Sequence, residues 1–168
     1  TLSQTLIDRG TLLQETREYE KAEGDFIEAR EGLFALCERD AKNYEYRRHL
    51  AEAYHTLGIL YEDENRYPQS LAAYEQGRQI REQLVSESED REFKRDLGRS
   101  YGYLGDVQIA MGEYQAALRS YNRSVDLRQA VADTNPTDHE ARFQLARGFR
   151  NLGHLRRLQN DLEEAIKW

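Results

Sequence analysis

The sequence repeats itself at intervals of 47 and 48 residues, and each copy holds a glycine in the middle of an otherwise helical pattern. Leu50, Tyr54, Leu57, Gly58, Tyr67, Leu71 and Tyr74 recur 47 positions later as Leu97, Tyr101, Leu104, Gly105, Tyr114, Leu118 and Tyr121. At a further offset of 48, Leu145, Phe149, Leu152, Gly153, Leu162, Ala165 and Ile166 take equivalent places. A weaker copy comes first, with Leu2, Leu6, Gly10, Tyr19, Ala22 and Phe26 standing 48 positions before their counterparts. Repetition at a fixed period marks stacked units, because one such unit cannot bury its apolar face alone. About 3.5 units are expected in a single array over residues 1–168, with bounds near 1–42, 43–90, 91–138 and a shorter 139–168.

Within a unit the apolar residues follow helical spacing. Leu50, Ala53, Tyr54, Leu57 and Tyr61 step by three and four, which gathers them on one face of a helix. Asn65-Arg66 interrupts the pattern, and Pro68 stands just inside the next helix, where its missing N–H costs nothing. Leu71, Tyr74, Ile80 and Leu84 carry that second helix. Equivalent breaks are expected at Met111-Gly112-Glu113 and at Gln159-Asn160-Asp161, and Asn135-Pro136 closes the third unit. Glu, Arg, Ala, Leu and Gln are plentiful and long β-branched runs are absent, so an all-α chain of antiparallel helix hairpins is expected.

A mid-helix glycine costs about 1 kcal/mol relative to alanine, so four recurrences need a reason. Ala22, Ser70, Ala117 and Ala165 each stand twelve residues after one of these glycines. Two small residues facing each other would let the paired helices approach closely, and that contact is the expectation.

On these residues the chain resembles the tetratricopeptide family. Tyr54, Leu57, Gly58, Tyr61, Ser70 and Tyr74 follow its pattern of bulky residue, Leu-Gly, aromatic, small residue and aromatic. The third unit follows with Tyr101, Leu104, Gly105, Ala117 and Tyr121, although Gln108 fills the aromatic slot. The fourth has Phe149, Leu152, Gly153 and Ala165, with Arg156 in that slot, and the first has Arg9 where leucine is usual. The usual unit is about 34 residues, so these are the long-helix variety, similar to kinesin-light-chain-type and bacterial signalling arrays. The resemblance implies a right-handed superhelical solenoid that binds a peptide or partner protein along a concave face.

Composition narrows the alternatives. Cys37 is the only cysteine, which fits a reducing, cytoplasmic setting. No segment approaches the ~18 consecutive apolar residues of a membrane span, and no signal peptide is visible, so no membrane partner is expected. The net charge of −7 disfavours nucleic acid as partner. Seven of the tyrosines are absorbed by the repeat pattern instead of being left for base stacking.

Little in the sequence assembles a reaction centre. Gly98-Arg99-Ser100-Tyr101-Gly102 spells the nucleophile-elbow string, which would make Ser100 a hydrolase nucleophile. That chemistry requires a strand and a strained turn before a helix, whereas this string lies inside a helical pattern. His49 and His55 fall on different helix faces, and His139 and His154 are too far apart to share an ion. No catalytic group, cofactor or metal site is expected, and the protein is not expected to be an enzyme.

The resemblance also implies groove positions on the first helix of each unit. They are Glu52, His55, Thr56, Ile59 and Glu62, then Arg99, Gly102, Tyr103, Asp106 and Ile109, then Arg147, Arg150, Asn151, His154 and Arg157. The family's carboxylate clamp would fall on His55, Ile59, Tyr103, Arg147 and Asn151, and only the last two suit it. From His139 to Leu158 five arginines face one acid, a local net of +4 against −11 elsewhere. Guanidinium groups spaced along one helix face favour carboxylates and phosphates. The expected binding residues are therefore Arg99, Tyr103, Asp106, Arg147, Arg150, Asn151, His154 and Arg157, and the expected partner is an acidic or phosphorylated protein segment. The alternative is a regulatory segment of a larger bacterial signalling enzyme, such as a kinase or caspase-like protease, self-associating through the unfinished last repeat.

Overall fold

The computed structural model describes residues 2–166, with side chains as far as residue 160. The fold is an all-α helical-repeat solenoid type, and no strand occurs among the described residues. The chain divides into two compact units, residues 1–87 and 88–168. The first contains α1 (Leu2–Glu15), α2 (Tyr19–Arg39), α3 (Tyr44–Asp63) and α4 (Tyr67–Glu87). The second contains α5 (Arg91–Ala110), α6 (Tyr114–Thr134) and α7 (His139–Ile166). No helix among the described residues is long and apolar enough to cross a membrane.

The second, third and fourth repeats each open on a polar cap. Asn43, Asp90 and Asp138 accept hydrogen bonds from the backbone N–H groups of Tyr46, Glu92 and Ala141, at 3.1, 2.8 and 2.9 Å. A carboxylate or amide oxygen there satisfies a donor that has no partner inside the helix. Asp138 also receives Arg91, with Arg95 at 3.6 Å, which ties the start of α7 to the start of α5.

The turn inside each hairpin is the same structure three times. Arg17, Asn65 and Gly112 lie in the left-handed region with φ of 63°, 58° and 77°. In each, the next residue's N–H reaches back five positions, from Glu18 to Leu13, Arg66 to Tyr61 and Glu113 to Gln108, at 2.7–2.8 Å. The left-handed residue's own N–H bonds three positions back, to Gln14, Glu62 and Ile109. This is a Schellman ending, which satisfies the last carbonyls of the first helix and reverses the chain.

The fourth turn does not form. Helix α7 runs unbroken through Gln159, Asn160 and Asp161, where a break was expected. Asn160 occupies the place of Asn65 and tolerates the left-handed state. Reversal, however, exchanges helical hydrogen bonds for packing, and continuing the helix keeps them. The expected positions Leu162, Ala165 and Ile166 lie outside the residues whose side chains are described.

The cores sit between the paired helices. In the first unit Leu6, Ile7, Ala29, Leu33, Leu50 and Ala53 form one cluster. Ala22, Phe26, Leu57, Leu60 and Ala73 form another. In the second unit Ala117, Tyr121 and Val125 pack with Leu152 and Leu155 of α7. Burying a side chain such as Leu57, 2% exposed, contributes about 2 kcal/mol.

The repeated glycines face aromatic rings, which corrects the expected contact between small residues. A Cβ on Gly10 would lie 2.6 Å from the Phe26 ring, and one on Gly58 or Gly105 would run into the rings of Tyr74 or Tyr121. Ala22, Ser70 and Ala117 are fully buried one helical turn earlier, but they are not what the glycines meet. A ring needs the whole space above a bare helix backbone, and only glycine leaves it. Gly153 meets nothing within 4 Å.

Candidate functional site

In the first unit the groove positions of α3 are taken up by internal contacts. Glu52 receives the buried Arg81 at 2.5 Å, and Glu62 accepts from the Tyr74 hydroxyl at 2.9 Å. His55 is 4% exposed, with its ring 5.5 Å from that of Tyr74. A cleft of about 500 Å3 beside Phe34, Cys37, Leu50 and Ile80 includes Arg47. Glu87 binds that guanidinium through both oxygens at 2.6 and 2.8 Å, so its charge is already answered. Burial pushes the Cys37 thiol up from its ordinary value, which leaves it a poor nucleophile.

In the second unit all eight expected residues line two clefts. The larger, about 500 Å3, is bounded by Arg150, Asn151, His154 and Arg157 of α7 and by Asp106 and Tyr121. The smaller, about 340 Å3, includes Arg99 and Tyr103 of α5 and Arg147 of α7. Arg147 and Arg150 make no ion pair among the described residues. Arg150, His154 and Arg157 are exposed, while Arg147, Asn151 and Tyr103 are half-buried.

Asp106 is the acid within this basic field. It accepts the Tyr121 hydroxyl at 2.5 Å. Burial holds its carboxyl above the usual carboxylate range, against the opposing pull of that hydrogen bond and of Arg147, Arg128 and Arg150. A half-buried carboxylate thus partly offsets the arginine field.

Arg128 was missing from the expected site. It belongs to α6, is 7% exposed, and lines the smaller cleft. Its Nη1 donates to the Gln144 carbonyl at 2.7 Å. A Cβ on Gly102 would stand 3.2 Å from its Nη2, and one on Gly148 3.6 Å from its Cδ. Two glycines on facing helices therefore make the passage through which this long side chain reaches the cleft. Burial lowers its hold on its proton, with Arg147 adding to the effect. The signal available in the sequence was positional. Arg128 stands 47 residues after Arg81, and Arg99 stands 47 after Glu52.

Other expected chemistry has no matching geometry. Ser100 is 2% exposed inside α5 and donates to the Asp96 carbonyl at 3.3 Å, with no strand or strained turn before it. No cluster of three or more His, Cys, Asp or Glu suited to a metal ion occurs among the described residues. Phe149, expected as a packing residue, is 54% exposed, and Phe143 is 65% exposed. The equivalent Tyr54 of α3 and Tyr101 of α5, each ten residues into its helix as Phe149 is, are half-buried beside the second helix of their own hairpin. No second helix packs back on α7 among the described residues.

Two family models match the chain, both described as tetratricopeptide repeat, over residues 50–90 and 98–131. No curated protein matches the sequence. Among solved structures, BtubC (BKLC) from P. vanneervenii is similar over 99% of this chain and 59% of its own, with a TM-score of 0.70 and 14% identity. The yeast histone chaperone Hif1, described as a scaffold protein recruiting protein complexes to core histones, is similar over 82% of this chain and 55% of its own (TM-score 0.63, 14% identity). The chain thus spans less than two thirds of the length of either. PcrH of Pseudomonas aeruginosa, in complex with the chaperone binding region of PopD, covers 93% and 92% (TM-score 0.54, 16% identity). At such identities the likeness is one of fold.

Proposed function

The chain belongs to the tetratricopeptide repeat family, and on that premise we propose that it is a protein-interaction scaffold that holds an acidic or phosphorylated segment against α5 and α7. The observation that carries this is the pair of α7 guanidiniums, Arg147 and Arg150, that stand beside Asp106 without ion-pair contact. Arg147 and Arg150 are in no ion pair among the described residues, whereas Glu52, which holds the position of Arg147 in the second repeat, is paired with the buried Arg81. Unanswered guanidinium groups beside clefts attract carboxylate and phosphate oxygens. Asn151 and Tyr103 add donors and an apolar face, and the backbone of the fold supplies rigid support. That PcrH shares the fold and was solved with a segment of another protein supports the same use of it. The cytoplasm as location and the chain as one continuous array are parts of this proposal.

The test is a titration with an Asp- and Glu-rich peptide and with a neutral peptide of equal length. The acidic peptide binds, and the double variant Arg147→Glu, Arg150→Glu weakens it at least about tenfold, about 1.4 kcal/mol, with helical content unchanged. Equal affinity in the variant removes this face from consideration. Exposed Phe143 and Phe149 favour a second reading, self-association through α7. Sedimentation of the chain over a range of concentrations distinguishes the two: a monomer throughout rejects self-association.

A further inference from the structure

The same buried position is treated differently in successive repeats. It is Leu33 in the first, 3% exposed and part of an apolar cluster. It is Arg81 in the second, 1% exposed, with Glu52 of the same repeat at 2.5 Å. It is Arg128 in the third, 7% exposed, where the residue equivalent to Glu52 is Arg99. The arginine has been kept, and its carboxylate has been exchanged for a second arginine. A buried cation normally has its counter-charge beside it, since removing one partner of such a pair costs several kcal/mol.

Asp106 is near enough to act on both Arg128 and Arg147, but its carboxylate takes the Tyr121 hydroxyl at 2.5 Å and forms an ion pair with neither among the described residues. The other charges nearby are engaged elsewhere. Arg95 is engaged by Glu92 at 3.0 Å and Asp138 at 3.6 Å, and Arg99 by Asp96 at 3.6 Å. Glu140, at the exposed edge of the cleft, accepts from Gln144 at 2.7 Å. Arg128 itself makes one hydrogen bond, to a carbonyl, and no ion pair among the described residues. Arg147, on the opposite wall, also has none. Two guanidiniums therefore line one cleft, with Asp106 acting on both but in ion-pair contact with neither among the described residues.

We infer that this space is an oxyanion socket, which takes one phosphate or carboxylate group carried on a side chain of the bound segment. The inference rests on the proposed binding face and adds to it the point where the ligand's charge is read. Arg128, held by Gly102 and Gly148, supplies a fixed donor from below, and Arg147 closes over the anion from α7. Because Arg128 is preorganised by burial, little side-chain entropy is lost when the anion arrives.

The test uses inorganic phosphate and acetate as probes, at fixed ionic strength, read by the thermal unfolding midpoint of the whole chain. Phosphate raises the midpoint in a saturable way. The variant Arg99→Glu recreates the acid of the second repeat beside the buried arginine, and it weakens the apparent phosphate affinity by about tenfold or more. Arg128→Met, which retains the apolar stem, gives the same loss and stands in if Arg99→Glu is poorly folded. A response to phosphate alone assigns the socket to phosphorylated side chains, and a response to acetate as well assigns it to carboxylates too. Absence of a saturable response, or equal phosphate affinity in both variants, overturns the socket. Phosphate binding by a chain that ignores acidic peptides leaves the socket standing and removes the peptide face instead.

Discussion

The ring of Tyr121 occupies the space where a Gly105 side chain would be, and its hydroxyl donates to Asp106 at 2.5 Å, so one aromatic is fixed at both ends by adjacent residues of α5. Gly105→Ala should therefore destabilise the second unit although alanine is the better helix former. Overpacking costs about 1–3 kcal/mol against a gain of about 1 kcal/mol in propensity. Gly24 of α2 is exposed and meets nothing within 4 Å, so Gly24→Ala should stabilise by roughly 0.5–1 kcal/mol. Urea unfolding of both variants checks the opposite signs.

The left-handed turns differ in what occupies them. Arg17 and Gly112 hold the same conformation, φ 63° and 77°, but only glycine adopts it without steric cost. Arg17→Gly is expected to stabilise the first hairpin by about 1 kcal/mol, and Gly112→Ala to destabilise the third by about 1–2 kcal/mol. A Gly112→Ala variant as stable as the parent in thermal denaturation would contradict the turn geometry.

Acid should weaken the first unit through identifiable pairs. Arg9 binds Asp25 through Nε and Nη2, both at 2.6 Å, and holds its carboxyl below the ordinary range. Arg66 does the same to Glu23. A lowered folded-state pKa means stability that is complete above the unfolded carboxylate value and lost as pH falls through the folded one. The decline should set in below about pH 4, and Asp25→Asn should flatten it while lowering stability at neutral pH. Denaturant midpoints between neutral pH and pH 3 provide the measurement.

Asp106 has the opposite sign. Burial raises its carboxyl above the usual range, so the folded state takes up a proton more readily than the unfolded state and the charged form is penalised at neutral pH. Asp106→Asn keeps an acceptor for Tyr121 and removes a negative charge from the basic field. It should leave the fold intact at neutral pH and tighten the binding of an acidic peptide roughly two- to tenfold. Calorimetric titration would reveal a weaker complex if the carboxylate itself contacts the ligand.

The hairpins are legible in the sequence because two signals coincide: the apolar spacing and the turn residues near Asn65 and Gly112. What Gly58 meets was not. Ser70 and Tyr74 are one turn apart on the same face of α4, and spacing does not choose between neighbours on one face. The continuity of α7 was also hidden, because Asn160 suits both a turn and a helix and the choice depends on packing that follows it. The arginines of α7 were legible from their spacing. Arg128 was not, since the run Ser124-Val125-Asp126-Leu127-Arg128 has an ordinary amphipathic look and burial is decided by Gly102 and Gly148 on other helices.

Gly10 and Phe26, Gly58 and Tyr74, and Gly105 and Tyr121 are each sixteen residues apart, although the repeats that contain them differ by one residue in length. The span from backbone gap to ring thus behaves as a ruler within which no insertion is tolerated, while the extra residue is absorbed beyond it. Crossovers between repeats that respect this interval should yield chimaeric hairpins that still close, and a single added residue inside it should leave the ring without a seat. The hairpin, and not the whole repeat, is then the smallest piece of this protein that can be shuffled.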